Sequence, residues 1–304
     1  NHYSDKESQI AIVVASGTIM DGQQPEGSIG GDTLAGIFSE LREDENVKAV
    51  VLRIDSGGGS AFASEIIRDS INATRNKGIP VVVSMSGVAA SGGYWIAAET
   101  DRVLAMSTTI TGSIGVWGVI PTIGQSLAKL GVYSDGVGTT DISAMMQIDR
   151  PLSTQTKAIF QAGVDNIYTR FIDLVAKGRD STPDEVHEIA QGRVWTGNQA
   201  LANGLIDELG DLKDAIEVAA ELADLDDYQI NYRRKQMSPV EALLTEINSN
   251  VTASLHRLGL GSTLKTGIPQ SIQRYAKKIF GPLIMIDNLN DPRGLYLYCD
   301  DCPL

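Results

Sequence analysis

The sequence predicts an α/β protein built on a mostly parallel sheet with helices on both faces. Three observations carry this. Short, nearly continuous apolar runs recur at Ile10–Ala15, Ala49–Ile54 and Pro80–Met85. A stretch of helical periodicity follows each run, and the last two runs end in glycine-rich turns. Runs that are apolar without alternation mark strands buried on both faces, which is the signature of parallel rather than antiparallel sheet.

The elements follow in order. After Ile10–Ala15, Asp32 reads as the cap of a helix whose Leu34, Ile37, Phe38 and Leu41 recur at helical spacing. Ala49–Ile54 is the second strand, broken by Asp55-Ser-Gly-Gly-Gly59. A helix from about Ala61 to Arg75 comes next, with Ile66, Ile67 and Ile71 on one face. Pro80–Met85 is the third strand, followed by a Gly/Ala turn and another helix. Further on, Ser153 to Arg179 reads as a long helix, Thr182-Pro183-Asp184-Glu185 as a capped helix start, and Leu212–Leu222 as a helix. Past Tyr232 the texture changes to amphipathic segments with basic spots at Arg274, Lys277 and Lys278. Residues 1–232 are therefore expected to form the main domain and 233–304 a helical C-terminal appendage, open to readings as an oligomer contact, a membrane-surface helix or a loosely attached segment, with the first and last favoured.

The bulk numbers narrow the function classes. With 304 residues, 42% hydrophobic and 21% charged, the chain can bury a full core. A net charge of −13 argues against a grip on nucleic acid, which needs a basic face against the phosphates. Its three histidines, His2, His187 and His256, lie far apart, and no metal-ligand or phosphate-loop spacing occurs, so no metal or cofactor is expected. No apolar run approaches the roughly 18 residues that span a bilayer. The chain opens at Asn1 without methionine or a signal pattern, which suggests a fragment or a processed product. Cys299 and Cys302 are the only cysteines; their spacing is open to a redox, zinc or disulfide reading, and a structural tail pair is expected.

Two turns bear the chemistry. In sheets of this kind ligands bind beyond the carboxyl ends of the strands, where both turns fall. The first, Asp55–Ser60, has three successive glycines that let backbone approach a ligand and turn its N–H groups outward. The second, Ser86–Trp95, delivers Ser91 to the start of a helix, beside amides without helical partners. Together they can place a hydroxyl nucleophile against N–H donors that would hold an oxyanion, each donor being worth about 3–4 kcal/mol. Plain capping and plain βα turns are the alternatives that the spacing leaves open.

The segments resemble the signal peptide peptidase A (protease IV) family. Arg53-Ile-Asp-Ser-Gly-Gly-Gly-Ser60 is similar to its strand-then-glycine segment, and Met85-Ser-Gly-Val-Ala-Ala-Ser-Gly-Gly-Tyr-Trp95 to its nucleophile segment. Thr109-Ile-Thr-Gly-Ser-Ile-Gly-Val116, Gly192-Arg-Val-Trp-Thr-Gly197 and Gly204-Leu-Ile-Asp207 resemble its later signatures, in order. The ending Asn290-Asp-Pro…Tyr298-Cys299 resembles the C-terminus of the long, two-repeat bacterial form.

The resemblance implies a crotonase-like or Clp-protease-like repeated β-β-α superhelix and a serine peptidase acting on apolar peptides, such as remnant signal peptides. By it, Ser91 is the acylated nucleophile, Gly92 with Gly58 or Gly59 supplies the oxyanion amides, and Ser113 helps hold the base. That base is a lysine in the family, yet no lysine occurs between Lys129 and Lys157 here. A lysine base must be neutral, so its pKa must fall from about 10.4 by about 3, a cost of about 4 kcal/mol. Lys129 sits in a helical setting that reads as a solvated face, and His187 on a polar helix face. The two-repeat form accounts for the gap: its N-terminal repeat carries the lysine, so this chain is expected to be half a site. The resemblance also implies a homo-oligomer on the periplasmic side of the bacterial inner membrane. An acyl-CoA enzyme of the crotonase group would leave Ser91 idle, and a non-catalytic, peptide-binding half is the other alternative.

Overall fold

The computed structural model describes residues 8–234, apart from 141, 144 and 146, together with residues 290–299. In chain order come strand β1 (Gln9–Ser16), the short strands β2 (Ile19–Met20) and β3 (Ile29–Gly30), and helix α1 (Gly31–Glu43). Helix α1 buries Leu34, Ile37, Phe38 and Leu41, the set its periodicity predicts. Its start differs from expectation. Gly30 is the N-cap, and Asp32 lies in the first turn with no side-chain cap bond; there its carboxylate complements the helix dipole instead.

Strand β4 (Val47–Ser56) leads through the triple glycine into β5 (Gly58–Ser60) and helix α2 (Ala61–Asn76). Ser60 caps α2, its Oγ accepting from the Ala63 N–H at 3.1 Å. Strand β6 (Val81–Ala90) outruns the predicted Pro80–Met85 by reaching Ala90, one residue short of Ser91, and the four-residue helix α3 (Gly92–Trp95) follows. Next are β7 (Arg102–Ala105), β8 (Ile110–Gly112), β9 (Trp117–Gly118), α4 (Gly124–Lys129) and the long α5 (Thr154–Gly178). Then come α6 (Pro183–Ile189), whose start carries the full Thr182/Glu185 capping box, β10 (Val194–Thr196), α7 (Gly197–Ala202), β11 (Glu208–Leu209), α8 (Leu212–Leu222) and β12 (Gln229–Arg233). Among the described residues β13 (Leu295–Tyr298) is last.

The larger sheet has the order β10-β8-β6-β4-β1-β12, with β7 also on β6 and β11 on β7. All its pairs are parallel except β10 with β8. Both faces are buried, as the unbroken apolar runs require. Val50, Leu52 and Ile54 face one core with α1, α2 and α5, while Ala49 and Val51 face a second core with Ala215 and Ala219 of α8. Over Ala49–Leu52 adjacent residues thus enter opposite cores, so no polar residue alternates there; the half-buried Arg53 interrupts the pattern before Ile54.

Charged groups knit α2, α3 and α5 together. Arg68 bonds Glu65 at 2.8 Å and also binds Glu99, Lys177 reaches Glu99 at 2.7 Å, and Arg170 binds Glu65. Trp95 packs on Phe171 with ring centroids 4.9 Å apart and donates Nε1–H to Glu65 at 2.9 Å. Burial alone would raise both carboxyls. Arg68, Trp95 and Arg170 around Glu65, and Lys177, Asn72 and Arg68 around Glu99, reverse this and hold both below the ordinary glutamate range.

One expectation changes. Residues 290–299, assigned from sequence to the appendage, belong to the same compact unit as the main domain. There β13 joins a second sheet of order β3-β2-β5-β13-β9, antiparallel to β5 and to β9. Arg274, Lys277, Lys278 and Cys302 lie outside the described residues; Cys299 is disulfide-bonded.

Candidate active site

Ser91 stands where β6 ends and α3 begins, at the carboxyl edge of the sheet. Its backbone is held at φ 53° and ψ −114°, a region that favours glycine. Such a conformation costs about 1–3 kcal/mol and persists only where the surroundings impose it. Here they do so on both sides: the Ser91 N–H donates to Gly112 O at 2.8 Å, and its carbonyl accepts from Trp95 N–H at 2.8 Å. The residue is 1% exposed, and its Oγ is buried with no hydrogen-bond partner among the described residues. A buried hydroxyl left unpaired costs about 1–3 kcal/mol, so a strained and unsatisfied serine calls for an explanation other than stability.

The triple-glycine turn lies directly against this serine's helix. Gly58 has φ 98°, and a Cβ built on it would sit 2.6 Å from the Gly92 N and 1.9 Å from the Leu297 carbonyl oxygen. Conversely, a Cβ on Gly92 would lie 3.2 Å from the Gly58 Cα and 2.7 Å from Ser64 Oγ. The two turns approach so closely that neither position has room for a side chain. Gly92 opens α3, so its N–H has no acceptor within the helix. The Gly58 amide is engaged: it donates to Ser56 Oγ at 3.0 Å, and that hydroxyl donates in turn to Gly17 O at 2.7 Å. Gly59, at φ 156°, abuts Ile19 O, 1.9 Å from where a Cβ would stand. Sequence reasoning missed Ser56, whose anchoring of the turn depends on a carbonyl far away in the chain.

Ser113 comes next to this pair. Register pairs Ala90 with Gly112, which sets Ser113 beside the Ser91 turn. Ser113 also has a left-handed backbone, at φ 50°, and its N–H donates to Arg193 O at 2.7 Å. It lines a cleft of about 580 Å³ with Trp117, Tyr168, Gln191, Arg193 and Cys299. Among the described residues no lysine lines that cleft. Lys129 is exposed at the end of α4, and Lys177 pairs with Glu99. His187 is exposed on α6, with Nδ1 2.9 Å from Tyr168 OH and Nε2 3.1 Å from Gln191 Nε2.

The remaining residues singled out from sequence have structural roles. Arg53 donates to Ser84 Oγ, Met85 O and Ser86 Oγ, and Asp55 accepts from Val88 N–H at 3.1 Å. Each ties β4 to β6 beneath the two turns. Trp95 is core, Trp195 packs against the core, and Trp117 stacks on Tyr296 with centroids 5.4 Å apart. Met145 is half-buried, and Met146 lies outside the described residues.

A strained, buried serine at the carboxyl edge of an α/β sheet, next to the close Gly58–Gly92 approach, is an arrangement that hydroxyl-nucleophile enzymes use. Comparison with known proteins makes this specific. Residues 73–226 match the model of peptidase family S49. Protease 4 of Salmonella typhi is 40% identical over 299 residues, covering 98% of this chain and 47% of that protein. The chloroplastic serine protease SPPA of Arabidopsis thaliana is 34% identical, covering 84% of this chain and 38% of that protein. A putative protease of Synechocystis is 35% identical over 242 residues, covering 79% of this chain and 87% of that protein. The chain belongs to peptidase family S49. It spans about half the length of the Salmonella protease 4 that it matches, 47% of that protein.

Proposed function

We propose that this chain is the serine-bearing half of a serine peptidase of the signal peptide peptidase A type, with Ser91 as its nucleophile. The observation that carries the reading is the Ser91 hydroxyl, strained in its backbone, buried and without a partner, against the Gly58–Gly92 contact. Ser91 Oγ attacks a peptide carbonyl, and the proton it loses passes to a neutral amine. The Gly92 N–H receives the developing oxyanion, and the Gly58 N–H joins it by exchanging Ser56 Oγ for the stronger, charged acceptor. Gly59 is the alternative second donor. The protonated base gives the serine's proton to the leaving nitrogen as the tetrahedral intermediate collapses, which leaves an acyl-serine and frees the amine of the C-terminal fragment. Water, deprotonated by the same base, then hydrolyses the acyl group, and the proton returns to Ser91 Oγ.

The resemblance to the two-repeat form supports a base supplied by a preceding repeat, and no described lysine lines the cleft beside Ser113. The cleft receives that lysine, with Ser113 holding it. A buried position beside Trp117 and Tyr168 would favour its neutral form. The remaining features of the reading are a crotonase-like superhelix, a homo-oligomer completed between repeats, apolar substrates of the remnant signal peptide kind, and a place on the periplasmic face of the inner membrane. No helix among the described residues is long and apolar enough to cross a membrane.

Turnover of an apolar peptide ester by the isolated chain, compared with the full-length protein, tests the split site. The isolated chain should be nearly inactive, and the preceding half added in trans should restore turnover. Equal activity of the two would reject the divided site. A full-length protein that binds peptides but never turns them over would favour the peptide-binding alternative.

A further inference from the structure

The second sheet holds an internal peptide. Strand β13 lies between β5 and β9 and is antiparallel to both. On one side Leu297 pairs with Gly59 and Tyr298 with Gly58; on the other Leu295 pairs with Gly118 and Tyr296 with Trp117. Without β13, β5 and β9 would face each other across a slot one strand wide, since adjacent strands lie about 4.8 Å apart. Such a slot, with an unpaired strand edge on each wall, is what an extended peptide adds itself to.

The strand also reaches the reacting groups. The Leu297 carbonyl oxygen is the atom that a Cβ on Gly58 would strike at 1.9 Å, and it lies 3.0 Å from a Cβ built on Gly92. Leu295 and Leu297 are sunk into the core at 6% and 0% exposure, two alternate apolar side chains on one face. Cys299 follows: its N–H donates to Gly57 O at 2.8 Å, and it packs with Val88 and Ala90 just before Ser91. The segment is tethered at its other end. Asp291 accepts from Ser60 Oγ at 2.6 Å and from the Phe62 N–H at 2.9 Å. Asn290 exchanges two bonds with the Asp21 backbone, at 2.8 and 3.0 Å.

We propose that residues 290–299 fill the peptide cleft of this site as an internal pseudo-substrate, keeping Ser91 covered until an incoming apolar peptide displaces them. The proposal rests on the peptidase reading above. The Leu297 carbonyl, 3.0 Å from a Cβ built on Gly92, places the strand next to the residue that follows Ser91, and Ser91 is 1% exposed. Strand exchange is the physical event: the incoming peptide takes over the main-chain partners of β5 and β9, and the anchors at Asn290 and Asp291 set how readily the native strand leaves.

The test uses the full-length protein and a fluorophosphonate at limiting concentration. Asp291→Asn removes the charge from four hydrogen bonds, two of them to Ser60 and Phe62 of the body and two to Arg293 and Leu295 of the segment itself, so Ser91 should label about tenfold faster than in the wild type. A synthetic decapeptide with the sequence of residues 290–299 should slow the variant again. Unchanged or slower labelling would overturn the proposal and make β13 a part of the catalytic frame. A second measurement needs no variant: hydrogen exchange of the β13 amides, with and without a leucyl peptide boronate bound to Ser91. Exchange should rise at least about tenfold in the adduct. Protection that persists while the adduct forms would overturn the proposal. Absence of any adduct at Ser91 in every protein would instead reject the peptidase reading itself, and this inference with it.

Discussion

Two neighbouring regions of this molecule handle buried polar groups in opposite ways. In the helix layer Glu65 and Glu99 are each met by several partners, among them Arg68, which contacts both. A few residues away Ser91 keeps its hydroxyl buried with none, on a backbone that disfavours a side chain. The first arrangement holds helices together, since removing a partner from a buried ion cluster leaves uncompensated charge. The second lowers stability, and a fold retains such a group where chemistry uses it. Satisfied and unsatisfied polar groups within one short stretch, residues 65–99, therefore separate frame from site.

Substitutions can break or sharpen this contrast. The largest effect is expected at Ser91. Ser91→Ala should abolish fluorophosphonate labelling of the full-length protein while raising thermal stability by about 1 kcal/mol, because an unpaired hydroxyl is removed. A marked loss of stability would place Ser91 in the frame. Next, Gly58→Ala forces a Cβ onto the Gly92 N and the Leu297 carbonyl; the lost position of an oxyanion donor outweighs any loosening of β13, so labelling of Ser91 should fall by about a hundredfold. Chemical denaturation would show a smaller loss of folding stability beside it.

Glu99→Gln should do the reverse: destabilise by about 2–3 kcal/mol in urea while leaving the labelling rate of the folded protein unchanged. The frame also has a pH signature. Burial opposes ionisation of Glu65 and Glu99, but Arg68 and their other partners lower both pKa values below the unfolded value. Their contribution is therefore complete above the ordinary glutamate pKa, about 4.3, and is lost as pH falls through the lower folded values. Melting temperature should drop below about pH 4.3 in the wild type, and less steeply in Glu99→Gln. The smallest effect is expected from Ser56→Ala, which frees the Gly58 N–H but loosens the turn; labelling should change by no more than about threefold.

Much of this was legible in sequence because it is local. Unbroken apolar runs announced the buried strands, Thr182 and Glu185 spelled out a capping box, and Leu34, Ile37, Phe38 and Leu41 marked the inner face of α1. Three glycines after one strand and a small-residue turn after another marked the site. What local pattern did not contain is long-range pairing. The two-residue strands β2 and β3 are too short for any periodicity, and β13 pairs with a strand more than two hundred residues earlier, so nothing in its own neighbourhood announces it. Ser56 and Gly17 meet only through the fold. The left-handed backbones at Ser91 and Ser113 are likewise imposed from outside, by Gly112 and Arg193, and serine as a residue type gives no hint of them.

Peptide mapping by mass spectrometry, after the full-length protein reacts with a fluorophosphonate, tests the central claim most directly. One adduct should appear, on the peptide that contains Ser91, and vanish in Ser91→Ala. An adduct on another serine of this chain, or an unmodified Ser91 in a protein that still cleaves peptides, would contradict the account.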